Sequence, residues 1–77
     1  MQITVSYVGY LQLDGIENNS SIEIEKETTV QDLLEGCGMT REQLRYVVPV
    51  VNDSKRDLSY TLQDNDSLFL FLPTGGG

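Results

Sequence analysis

Only one stretch of this chain clearly carries the period of a helix, and it is too short to stand alone. Val30, Leu33, Leu34 and Cys37 fall at i, i+3, i+4 and i+7, a single apolar stripe about two turns long. Isolated helices shorter than about 12–15 residues are marginal in water, so this one needs a surface to lie on. The segments around it alternate with period two, which is the pattern of half-buried strands. The chain is therefore directed to an α+β fold in which one helix rests on a sheet.

Residues 1–13 read as a strand. Ile3, Val5 and Tyr7 point one way, and Gln2, Thr4, Ser6 and Val8 the other. Asp14-Gly15 and Asn18-Asn19-Ser20 carry turn chemistry. Residues 21–26 alternate again, with Ile22 and Ile24 inward and Glu23 and Glu25 outward, so the first two runs form a hairpin. Thr28 or Thr29 can cap the helix, with Gln31 or Asp32 three residues later closing a capping box. Gly36 and Gly38 can end it in the left-handed conformation. Thr40 and Gln43 repeat the box and predict a second, single-turn helix.

Residues 46–51 are β-branched and apolar, a third strand. Pro49 cannot donate to a ladder, which predicts a bulge or an unpaired edge there. Residues 52–55 read as a turn, 57–62 as a short irregular edge element, 63–66 as a second turn and 67–72 as the last strand. The first and last strands are the most apolar and make the natural central pair. The crossover through the helix should be right-handed. The arrangement is a β-grasp: a mixed sheet of four to five strands with one helix packed across one face. Residues 1–73 form the domain and 74–77 a flexible tail.

Length and charge narrow the function. A chain of 77 residues makes one small domain, with no cleft between two domains for catalysis. No apolar run approaches the roughly 20 residues of a membrane span, and no signal peptide is visible. One cysteine excludes an internal disulfide and suits a reducing cytoplasm. With no histidine, a zinc site would need almost nothing but carboxylates, so no metal is expected. The net charge is −7 with five Lys and Arg in all. Nucleic acid and anionic membrane are poor partners for such a chain, whereas a basic protein surface would steer it. The same charge also serves simple solubility.

The last strand and the tail carry the functional signal. Leu68, Leu70 and Leu72 share one face, Phe69 and Phe71 the other. If the leucines meet the helix, the phenylalanines lie on an open sheet face that should be polar. Each ring can bury roughly 150–250 Å², enough together for a docking patch. In the opposite register the phenylalanines form the core. Beyond them come Pro73, Thr74, Gly75, Gly76 and Gly77. A glycine triple resists ordering and should project from the domain. Without side chains it can thread a narrow channel in a partner. The one reactive group at its tip is the α-carboxylate of Gly77. The plainer reading is a frayed end or a linker scar.

Four motifs in order resemble the ThiS/MoaD sulfur-carrier proteins, small relatives of ubiquitin. Residues Thr29-Val30-Gln31-Asp32-Leu33-Leu34 are similar to the family's helix start, "TVxdLL". Val50-Val51-Asn52-Asp53 is similar to its "vVNg" turn. Leu62-Gln63-Asp64-Asn65-Asp66-Ser67-Leu68 is similar to "LxdGDeV", with Asn65 in the glycine position; Asn also visits positive φ. Pro73-Thr74-Gly75-Gly76-Gly77 resembles the "PvxGG" ending.

The resemblance implies a carrier protein and not an enzyme. It implies that a ThiF/MoeB-type enzyme spends ATP to adenylate the Gly77 carboxylate, and that a sulfur donor converts it to a thiocarboxylate. A downstream sulfur-accepting synthase then takes the sulfur. No cofactor would be bound by the chain itself. Phe69, Phe71, Pro73, Thr74, Gly75 and Gly76 would be the partner-binding residues. Residues 9–14 lack an Arg common in molybdopterin-synthase small subunits, and the tail lacks their paired prolines, so the receiving pathway stays open. A ubiquitin-like modifier conjugated through Gly77 would share the activation step, and a plain interaction domain would need none of it.

Two further residues complete the reading. Cys37 sits on the helix stripe and is expected in the core. Leu33 and Leu34 are expected there too, and Leu33→Ala should cost about 2–5 kcal/mol if that side chain is fully buried. Asp64 and Asp66 lack the spaced ligands of a calcium loop and are expected to form a turn.

Overall fold

In the computed structural model the described residues are 1–8 and 11–73. Seven elements follow in chain order: β1 (Gln2–Tyr7), β2 (Ser20–Glu23), α1 (Val30–Gly36), α2 (Arg41–Leu44), β3 (Val48–Val51), β4 (Ser54–Lys55) and β5 (Ser67–Phe71). The sheet runs β2-β1-β5-β3-β4. β1 and β5 are parallel, and the other neighbours are antiparallel. The first and last strands thus lie side by side in the middle, as their apolar content requires.

Alternation sorts the sheet into two faces. Ile3 and Val5 of β1, Leu68 and Leu70 of β5 and Val51 of β3 are all 1% exposed or less, as are Val30 and Leu34 of α1 and Leu62. These side chains form the contact between helix and sheet. Leu11, Leu13, Ile16, Met39, Leu44 and Val47 close the core at its margins.

Both helices begin as their sequences dictate. Thr29 Oγ1 accepts from Asp32 N–H at 3.1 Å, and Asp32 Oδ2 accepts from Thr29 N–H at 3.1 Å. Thr40 and Gln43 make the same reciprocal box at α2. Each box satisfies backbone donors that the first turn leaves free.

Several expectations need adjustment. Gly36 is the last residue of α1, and of these two glycines it is Gly38 that takes positive φ, at +83°. Leu33 is only half-buried, while Leu34 is sealed; the helix rests on the Val30–Leu34–Cys37 side of its stripe. The first strand stops at Tyr7 instead of residue 13, because Asn18 ends the hairpin ladder with its side chain. Asn18 Oδ1 accepts from Tyr7 N–H at 2.8 Å and Nδ2 donates to Tyr7 O at 2.6 Å. Ser54–Lys55 is a strand, and the turn before it is Asn52-Asp53, both at positive φ (50° and 70°). Two successive positive φ values are what a tight two-residue hairpin requires.

Pro49 is paired with Leu70 on its β5 side. Its carbonyl faces the other way and accepts from Arg56 N–H at 3.0 Å, just beyond the two residues of β4. The missing donor of proline therefore falls where the sheet runs out.

Candidate functional site

The open face of the sheet is built by the residues that alternate with the core. Ser6 and Val50 stand opposite Phe69, and Val48 stands opposite Phe71. The two phenyl rings stack with centroids 5.9 Å apart and planes inclined by 27°. Phe69 is 38% exposed, Phe71 half-buried, and Val48 and Val50 half-buried beside them. A one-sided sheet ordinarily turns polar residues to water. Here polar residues gather at one end of the face, where Thr4 and Ser67 share a hydroxyl hydrogen bond of 3.0 Å, and reach its middle, where Ser6 stands beside Phe69 and Lys55 beside Val50. The other end is apolar, and it is the end from which the chain leaves β5.

The start of β5 is clamped from below. Asp66 is buried, with 5% exposure. Its Oδ1 accepts from Asn52 Nδ2 at 2.8 Å, and its Oδ2 accepts from Gln63 N–H at 2.8 Å and Tyr60 O–H at 3.1 Å. Three donors compensate a carboxylate that burial alone would strongly disfavour. Asn52 then holds Ser67: its Oδ1 accepts from Ser67 N–H and its N–H donates to Ser67 O, both at 2.9 Å. Asn65, at φ 70°, donates its N–H to Gln2 O at 2.6 Å. The Asn in the glycine position of the motif thus adopts the conformation glycine would supply. The two turns and the N-terminus of β1 fix where Phe69 and Phe71 stand.

Among the described residues, two groups titrate away from their usual values. Burial pushes the Cys37 thiol up, and the nearby Asp14 carboxylate pushes it further. Cys37 is therefore held as a neutral core thiol, as its helix position predicts. Loss of solvation raises the Tyr60 phenol, aided by its hydrogen bond to Asp66 and the charge there, and opposed by Arg56, whose guanidinium lies 5.2 Å from the ring centre.

Of the residues expected to form the site, Phe69 and Phe71 come together on one surface. Pro73 follows two residues beyond β5 and is exposed. Thr74, Gly75, Gly76 and Gly77 lie outside the described residues. The clamp of Asn52, Tyr60, Gln63 and Asp66 escaped the sequence reading. Only the turn-forming character of Asn52 and Asp66 hinted at it. Among the described residues no cluster of three or more His, Cys, Asp or Glu is placed to hold a metal ion, and no helix is long and apolar enough to cross a membrane.

This architecture is the ubiquitin-like β-grasp. No protein-family model matches the sequence, and no curated protein matches it closely enough to count as a relative. Solved structures do match. One is assigned as molybdopterin converting factor subunit 1, from Pyrococcus furiosus. It shares 24% identity and superimposes with a TM-score of 0.67 over 95% of this chain and 98% of that one. Another is a complex of subunits 1 and 2 of molybdopterin-converting factor from Helicobacter pylori. There the identity is 25% and the TM-score 0.64, with both chains covered in full. The motifs read from the sequence and the likeness in structure meet in one place: the chain has the fold of the ThiS/MoaD-type ubiquitin-like proteins.

Proposed function

We propose that this chain is a sulfur carrier in molybdopterin synthesis, a co-substrate and not a catalyst. The observation that carries the proposal is the continuity of β5. A clamped strand presents Phe69 and Phe71 on an open sheet face and runs within two residues into Pro73 and the glycine tail. The full-length likeness to a subunit of molybdopterin-converting factor that is seen in complex with a second subunit supports the same reading. It suggests a comparable second subunit as the downstream synthase partner.

The chemistry follows from the terminus. A carboxylate is a poor acyl donor because oxide is a poor leaving group. A ThiF/MoeB-type enzyme would transfer AMP from ATP to a Gly77 carboxylate oxygen and release pyrophosphate. A sulfide-level donor then attacks the acyl carbon and AMP leaves, so one oxygen is exchanged for sulfur. The resulting thiocarboxylate is softer and more nucleophilic than the carboxylate and can hand its sulfur to an acceptor. Gly76 and Gly77 suit this because a Cβ would obstruct a channel narrow enough to exclude water. The activating enzyme and the cytoplasmic setting belong to the same proposal.

Removing Gly77, or adding one residue after it, is expected to abolish ATP–pyrophosphate exchange with the activating enzyme. The circular dichroism spectrum should be unchanged. Exchange at the original rate would overturn the mechanism.

A further inference from the structure

A second surface lies on the opposite edge of the sheet from β4. We propose that the groove between α1 and the free edge of β2 takes an extended basic peptide segment by strand addition. This inference is independent of the carrier function.

β2 is an edge strand, and its backbone is divided cleanly. Ile24 N–H donates to Met1 O at 2.8 Å, and the Asn18 side chain pairs with Tyr7 at the other end. The even-numbered residues between them, Ser20 and Ile22, therefore face β1. Ser21 and Glu23 turn their N–H and C=O groups outward, where no described residue pairs with them. An unpaired edge of this kind is a template for another strand.

The side chains beside that edge specify what the strand should be. Ile22, Ile24 and Leu33 are half-buried and line an open groove of about 490 Å³. Every charged residue lining it is acidic: Asp14, Glu23, Glu25 and Asp32. Along β2 and the two residues that follow it, Ile22 and Ile24 pack toward the core, and Glu23 and Glu25 alternate with them toward the other face, both exposed. Glu23 also receives the Met1 ammonium at 2.9 Å. Cross-strand neighbours on an antiparallel or parallel addition share a face. A partner strand should therefore alternate aliphatic residues toward Ile22, Ile24 and Leu33 with Lys or Arg toward the glutamates. A basic partner also suits a chain of net charge −7.

The test is a titration of the isotope-labelled full chain with the capped peptide Lys-Val-Arg-Ile-Arg-Val-Lys, followed by NMR. Saturable shifts are expected at the amides of Ser21, Glu23, Glu25 and Leu33. Glu25→Lys should weaken binding about fivefold, the upper range for an exposed charge pair. A peptide N-methylated at alternate residues should bind at least about tenfold more weakly, as expected for lost backbone hydrogen bonds. Shifts confined to the Phe69 and Phe71 strand, or no saturable shift, would overturn the proposal. So would equal binding by the N-methylated peptide or by one with Glu in place of Lys and Arg.

Discussion

Leu70 and Phe69 are neighbours on β5 and live under opposite conditions. Leu70 is wholly enclosed, and Phe69 is more than a third exposed. The leucine face meets β1, β3 and α1 in a core whose central side chains are sealed from water. The phenylalanine face has no covering element among the described residues, yet half of it is as apolar as a core. Burial of the first face holds the domain together. The second face contributes little to that, and it is the face we propose as the docking surface. One strand thus carries two unlike faces because its alternate residues answer to different neighbours.

The sharpest way to break this comparison is to exchange the expected losses. Leu70→Ala should cost about 2–5 kcal/mol of stability by opening a cavity in the core, read as a lower urea midpoint at unchanged slope. A loss no larger than that of a surface substitution would mean that the core does not centre on β5. Asp66→Ala should cost about 1–3 kcal/mol, because the Asn52 amide, the Gln63 N–H and the Tyr60 hydroxyl lose their acceptor. Its amide exchange should rise at Ser67 before it rises at Val5, since Asn52 holds the start of the last strand.

The helix-covered face also predicts a loss in alkali. The Cys37 thiol is raised above its usual value of 9.0, so the folded state favours the neutral form. Its contribution is complete below that value and is lost as pH rises toward and through the folded pKa. The urea midpoint should fall as pH rises past 9.0, less steeply in Cys37→Ala, with Tyr60 supplying the remainder in the same direction above its usual value of 10.0. Identical profiles for the two proteins would take Cys37 out of the core. The smallest stability effect belongs to Phe69→Ser, less than about 1 kcal/mol because the site is exposed. That variant should nevertheless bind the activating enzyme at least about tenfold more weakly, the loss typical of a central aromatic contact. Unfolding of Phe69→Ser would show that the open face is part of the core after all.

Much of the fold was legible because local pattern and tertiary structure agree. The alternation of Ile3 and Val5, the two capping boxes and the turn at 63–66 each specify their element without help from distant residues. Periodicity locates a stripe but not its centre, which is why Leu33 and Leu34 looked equivalent and only Leu34 is sealed. β4 is two polar residues, too short to alternate, so its turn residues dominated the reading. Leu11 and Leu13 alternate like a strand but are core residues of a loop. The Asn52–Asp66 clamp joins two turns that are separated in sequence, and no local pattern encodes such a contact. Of the site, β5 alone showed two apolar faces and left open which one turns outward; the structure buries Leu68 and Leu70 and turns Phe69 out.

The central claim concerns the terminus, and intact mass tests it most directly. The purified chain is incubated with a ThiF/MoeB-type enzyme that is active on its own carrier, with ATP and a sulfide-level donor. The account predicts a mass gain equal to one oxygen exchanged for sulfur, absent when Gly77 is removed. An unchanged mass beside a fully converted control carrier would contradict it.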